Sequence, residues 1–283
     1  MPLRPRYAPR QQQAPIGLGL SSRLPTPFCV LRPLGAAWRV DTYRGAVLTS
    51  QTTYGTVTKT LGRAGEGVVY SSGGSLFTFD ATGANWSRTS WCFACSFIST
   101  STASIQTIAS INGDLNGLQL RINTSAKVEI LSEGAALLDT STLTITVGAV
   151  YNLSVCSNAA MGTTEVWING VRWINYAGTI DIKDPATAMR FYIGRRLTAA
   201  DNFIIGAVFD ASFWAHGAGQ LPTPQQQQAF TSHPGLRAAL FPQRRRIQLL
   251  TAAAAATGHP AMRRLGGIRF ARGIDRPGAP RVY

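Results

Sequence analysis

Apolar and polar residues alternate with period two along most of the chain, the repeat of strands that turn one face to a core. Ser90–Ser99 is the clearest case, with Trp91, Phe93, Cys95 and Phe97 on one face. Val68–Asp80 predicts a strand pair around Gly73-Gly74, with Phe77 and Phe79 opposing Leu76 and Thr78. Ile105–Ile111 leads through the turn-forming stretch Asn112-Gly113-Asp114-Leu115-Asn116-Gly117 into Leu118–Ile122, which should pair with Lys127–Leu131. Val150–Ser157 alternates as well. Glu165–Ile168 and Val171–Ile174 flank Asn169-Gly170, two residues that tolerate positive φ and predict a type I′ hairpin. Arg190–Gly194 and Phe203–Trp214 complete the series. One helix is predicted, capped by Thr223, with Pro224 in its first turn and Gln225–Phe230 continuing it. Short strands at this spacing, with turn chemistry between them, predict an antiparallel two-sheet β-sandwich over residues 38–230.

The flanks read differently. Residues 1–37 carry seven prolines, at 2, 5, 9, 15, 25, 27 and 33, around Gln11-Gln12-Gln13, and are expected to form an extended arm. Residues 231–283 form a second arm with Arg244-Arg245-Arg246, an alanine run at 252–256, and Arg263-Arg264. Charge follows the same division. The 283 residues carry a net charge of +14 although only 14% of them are charged. Residues 1–40 hold six Arg and no acid, and 41–210 hold eight Arg, three Lys and twelve acids. Residues 211–283 hold ten Arg and one acid, Asp275. A near-neutral body thus lies between two cationic ends.

Several classes of chemistry fall away. No apolar run approaches a membrane span, and the start lacks the apolar centre of a signal peptide, so neither insertion nor Sec export is expected. Cys92 and Cys95 form a CxxC, but residues three apart in a strand point to opposite faces, so a shared metal or a redox role is not expected. Glu165 stands alone before Trp167, and neither Glu129/Glu133 nor Asp181/Asp184 is expected to supply the facing carboxylates that glycoside hydrolysis needs. His216, His233 and His259 all lie in the last 70 residues, and neither a phosphate loop nor HExxH occurs. No enzymatic activity is expected.

The ordered segments Ser90-Trp91-Cys92-Phe93-Ala94, Gly117-Leu118-Gln119-Leu120, Glu165 to Val171, Phe191-Tyr192-Ile193-Gly194 and Gly206-Ala207-Val208-Phe209-Asp210 resemble a laminin-G-like, concanavalin A-like lectin/glucanase domain. The resemblance covers about two thirds of the chain and implies a jelly-roll sandwich followed by a short helix, here after Leu221-Pro222-Thr223-Pro224. The segment from His233-Pro234-Gly235-Leu236 through Leu240-Phe241-Pro242-Gln243-Arg244-Arg245-Arg246-Ile247 is similar to the "NPW-x-L-F-x-P-x-RR-I" tail of prophage and tailed-phage proteins carrying this domain, without its Asn and Trp. This second resemblance implies a virion subunit of the tail, collar, fibre or decoration type.

Two kinds of partner follow. Lectin-like binding takes an exposed aromatic to stack on a sugar, with Asp or Asn, often with calcium, to hold its hydroxyls. Asp114 and Asn116, Asp201 and Asn202, and Trp86 or Trp173 are the candidates, although Asx residues equally serve turns and Trp equally fills cores. No other cofactor is expected. For the arms, Arg rather than Lys is the residue that protein interfaces prefer. Arg4, Arg6, Arg10, Arg244, Arg245, Arg246, Arg263 and Arg264 are therefore expected to contact neighbouring virion subunits, including copies of this chain. A nucleic acid is the other acidic partner to weigh, but the arms carry few aromatics for stacking bases.

Overall fold

The structure is a computed structural model, and it describes residues 24–43, 46–62, 65–80, 86–111, 117–132, 136–182, 188–195, 202–215 and 217–232. Sixteen strands are found among them. They are β1 (Cys29–Leu34), β2 (Ala37–Thr42), β3 (Val47–Tyr54), β4 (Val57–Gly62), β5 (Gly65–Tyr70), β6 (Gly74–Asp80), β7 (Trp91–Ser99) and β8 (Gln106–Ile111). Then follow β9 (Leu118–Ile122), β10 (Lys127–Ser132), β11 (Ala136–Thr144), β12 (Val150–Asn158), β13 (Thr163–Ile168), β14 (Val171–Tyr176), β15 (Ala188–Ile193) and β16 (Gly206–Trp214). A 3-10 turn at Ala218–Gln220 leads into helix α1 (Pro224–Ser232).

The strands build two sheets. The first runs β14-β13-β12-β7-β16-β1-β2, with β5 beside the other stretch of β16 and β4 outside β5. The second runs β11-β10-β9-β8-β15-β6-β3. Every ladder within them is antiparallel. Between the sheets lies the main core, where Phe93 and Phe191 meet at 5.2 Å and Phe191 and Phe213 at 5.5 Å between ring centroids. The ring polar groups that enter this layer find partners, as buried donors must. Trp38 Nε1 donates to the Tyr70 hydroxyl at 2.7 Å, and Trp91 Nε1 to the Ile180 carbonyl at 2.8 Å.

The hairpin and the helix form as their residues predict. Asn169 and Gly170 have φ of 48° and 80°, the type I′ turn. Gln226 N donates to Thr223 Oγ1 at 3.2 Å while Gln226 Oε1 accepts from Thr223 N at 2.8 Å, a reciprocal cap on the first turn of α1.

Two expectations are corrected. Residues 24–37 are not an arm: β1 pairs with both β16 and β2, and Leu24, Phe28, Cys29, Val30 and Leu31 are buried. The apolar run Phe28-Cys29-Val30-Leu31 outweighs the surrounding prolines. Pro33 lies beyond the three residues that pair with β16, so its missing N–H breaks no ladder bond there. The remaining arm residues, 1–23 and 233–283, lie outside the described residues. Secondly, β5 and β6 are not a hairpin. They belong to opposite sheets, and Gly73 lets the crossing chain approach the Tyr54 carbonyl, which a Cβ at Gly73 would overlap. Both thiols of the CxxC are buried, and β7 is buried on both faces. Trp91, Phe93, Cys95 and Phe97 face the inter-sheet core as expected, but Cys92 and Ala94 are buried as well, in a second cluster.

Candidate binding surface

That second cluster covers the outer face of the first sheet. Leu24, Val30, Tyr43, Cys92, Ala94, Cys156, Trp214, Leu221 and Phe230 pack there, and the Trp214 and Phe230 rings stack at 6.2 Å. Helix α1 is fastened over the sheet by polar contacts too. Ser154 Oγ lies 3.1 Å from Gln227 Oε1, and Gly170 N donates to Thr231 Oγ1 at 3.1 Å. Beside this cover, Glu165 accepts from Trp167 Nε1 at 3.0 Å and from Arg172 at 2.8 Å. The lone carboxylate is thus held by two neighbours on its own hairpin. Further along the same sheet, Val69, Ile98, Ile205, Ala207 and Phe209 line an apolar cleft of about 270 Å³.

The outer face of the second sheet is polar and falls into two halves. On β8, β9 and β10 the outward side chains bond to one another. Gln119 Nε2 donates to Thr107 Oγ1 at 2.9 Å, and Arg121 and Asn123 both donate to the Glu129 carboxylate, at 2.6 and 2.7 Å. Ser110 Oγ and Gln119 Oε1, opposite each other in the β8–β9 register, are buried and have no hydrogen-bond partner among the described residues.

The other half is accessible at Ser50, Thr52, Tyr54 and Arg190, although Tyr192 in the same half is buried. Across β15, β6 and β3 the register aligns Arg190 with Thr78 and Ser50, and Tyr192 with Leu76 and Thr52. Phe77 and Phe79 point into the core, so these partners of alternate parity point outward. At the end of the patch, Gly194 (φ 80°) turns the chain so that Arg195 crosses β6 above Gly74. A Cβ at Gly74 would stand 2.7 Å from Arg195 Cγ and 2.7 Å from the Ile193 carbonyl oxygen. The empty space at Gly74 admits the aliphatic stem of Arg195, whose guanidinium Cζ sits 4.3 Å from the centroid of the Tyr54 ring. Tyr54 is exposed, as are Ser50, Thr52 and Arg190. A planar cation held against an aromatic, flanked by a second arginine and by hydroxyls, can donate to sugar hydroxyls or carboxylates and present a flat surface to a ring.

Of the residues proposed from sequence, the described ones, Trp86, Trp173 and Asn202, do not join this site. Trp86 and Trp173 are half-buried and packed against the core, Trp173 edge-on to Tyr151 at 6.2 Å. Asn202 is a turn residue with φ 65°, and its carbonyl accepts from Thr107 N at 2.7 Å. Asp114, Asn116 and Asp201 lie outside the described residues, as do the arm arginines. Tyr54, Gly74 and Arg195 were missed, and the signal that points to them is the glycine pair: a glycine inside a strand marks a close approach.

No protein-family model and no curated protein matches the chain. Among solved structures, the binding domain of botulinum neurotoxin serotype D aligns with 72% of this chain and 51% of that one, at 12% identity and a TM-score of 0.50. The chain has a concanavalin-like jelly-roll fold. Domain 4 of AbnA, a GH43 extracellular arabinanase from Geobacillus stearothermophilus, in complex with arabinotriose, aligns over 66% of this chain and 98% of that one, at 16% identity and a TM-score of 0.47. The Ruminococcus gnavus IT-sialidase CBM40 bound to α2,3-sialyllactose covers 51% of this chain and 84% of its own, at 13% identity and a TM-score of 0.43.

Proposed function

We propose that this chain is a non-catalytic binding protein whose sandwich recognises a glycan on the outer surface of β3, β6 and β15. The observation that carries this reading is the Arg195–Tyr54 stack over Gly74, set beside Arg190 and the hydroxyls of Ser50, Thr52 and Thr78. All of these groups except Arg195, which follows the end of β15, stand on three paired strands, so little ordering opposes binding. Arabinotriose and sialyllactose, the sugars present in two of the aligned structures, serve as first probes alongside a panel of neutral and acidic polysaccharides. In affinity electrophoresis and calorimetry, Tyr54→Ala and Arg195→Ala are each expected to weaken binding about tenfold or more. Binding to nothing in the panel, or binding that neither variant changes, overturns the reading. Release of reducing sugar that is lost in Glu165→Gln overturns its non-catalytic part.

A second reading, that the chain is a structural subunit of a virion, rests on where charge and acids lie. Asp41, Glu129, Glu165 and Asp181 are already in ion pairs with Arg39, Arg121, Arg172 and Arg88 of the sandwich. These pairs engage four of the body's twelve acids, and neighbouring subunits, other copies of this chain among them, would supply partners for the arginines of the flanks. Chains truncated to residues 24–232 should stay soluble and fail to join particles that the full chain enters. Incorporation at the full-length level rejects this reading and leaves the glycan reading standing.

A further inference from the structure

We propose that Cys92 and Cys156 are a cross-strand dithiol that closes to a disulfide when a disulfide oxidant reaches it. All four cysteines of the chain are buried thiols in this structure, but only these two face each other. The β7–β12 register places Cys92 directly opposite Cys156, and both belong to the cluster on the outer face of the first sheet. Cys95 is opposite Leu153 and Ala211, and Cys29 is opposite Thr42 and Phe213.

The kind of pair is decided by where the backbone of β12 spends its hydrogen bonds. The two-residue Asn169-Gly170 turn makes Ile168 and Val171 the closing, hydrogen-bonded pair of β13 and β14. Ile168 and Val166 therefore direct their backbone groups towards β14, and Trp167 and Glu165 direct theirs towards β12. Their partners Ser154 and Cys156 point back at β13, and Asn169 N donates to the Asn152 carbonyl at 2.9 Å in the same phase. The backbone of Cys156 is thus turned away from β7, so Cys92 and Cys156 are a non-hydrogen-bonded pair. In such pairs the Cα atoms lie about 4.5 Å apart with the side chains on one face, inside the range that a disulfide spans.

Closure is a thiol–disulfide exchange. One thiol, deprotonated, attacks a sulfur of an oxidant such as oxidised glutathione and releases a reduced thiol. The second attacks the mixed disulfide, forms the Cys92–Cys156 bond and releases the other thiol. Two protons and two electrons leave the pair, and the electrons reduce one oxidant disulfide. The closed bond would tie together two central strands under α1 and the segment around Leu24.

The test is to refold the full-length chain from denaturant in a glutathione redox buffer, so that burial is no barrier to access. Peptide mapping without reductant is expected to find a Cys92–Cys156 link. The thermal midpoint is expected to rise by about 5–10 °C and to fall back on reduction. Cys92→Ser and Cys156→Ser should abolish the link, whereas Cys29→Ser and Cys95→Ser should retain it. Four reduced thiols after oxidative refolding, or a link joining any other pair, overturns the proposal.

Discussion

The outer faces of the two sheets start from the same strand alternation and come to opposite ends. On the first, the outward positions are Val30, Cys92, Ala94, Cys156 and Trp214, which leave water only if something covers them, and α1 with the segment around Leu24 supplies the cover. On the second, the outward positions of β3, β6 and β15 are mostly hydroxyls, Tyr54 and arginines, for which exposure costs little. The residue type at every second position decides which face becomes interior and which remains a surface able to receive a ligand.

The comparison breaks most sharply at Trp214. Truncation to Ala removes a ring that stacks on Phe230 and donates from Nε1 to the Pro25 carbonyl, and is expected to cost about 3–5 kcal/mol in urea denaturation. A loss near that of an exposed residue would mean that the helix does not seal this face. Gly74→Ala tests the other face. Its Cβ meets both Arg195 and the Ile193 backbone, so about 1–3 kcal/mol of stability should be lost together with glycan binding. Thr223→Ala removes the cap of α1 and should cost about 1 kcal/mol. Hydrogen exchange should then quicken in α1 and leave β6 and β15 unchanged. Arg195→Ala is the mildest for folding, expected within about 0.5 kcal/mol of the parent, because the residue serves a surface and not the core.

A control lies between the sheets. Burial raises Tyr70 above its usual range, against the lowering effect of its bonds to Ser75 and Trp38, and burial raises Cys29 in the same way. Both groups stay protonated in the folded chain at a pH where the unfolded chain has released its protons. Stability should therefore hold through neutral pH and fall as the pH rises above about 9, by up to about 1.4 kcal/mol per unit for each group released. Denaturation midpoints that stay level from pH 8 to 11 would contradict the burial of these two groups.

Much of the fold was legible because turns and alternation are local. Asn169-Gly170 announces its own hairpin, and Thr223-Pro224 its own helix start, since both depend on backbone preferences of adjacent residues. The site was far less legible. Asn202 has a residue type suited to sugar binding, yet it sits at positive φ with its carbonyl accepting from Thr107 N. Trp86 and Trp173, the largest aromatics proposed for stacking, were needed against the core.

Sequence alone determined the antiparallel two-sheet character, the inward face of β7, the Asn-Gly hairpin, the capped helix and the division between a neutral body and cationic ends. Each of these depends on residue type and short spacing. Tertiary structure decided that residues 24–37 join the sandwich, that β5 and β6 part into different sheets, and that Arg195 reaches Tyr54 across Gly74. It also decided that Cys92 meets Cys156 rather than Cys95. Period two tells which side of a strand a residue faces and says nothing of which strand lies beside it. That choice belongs to the packing of the whole chain.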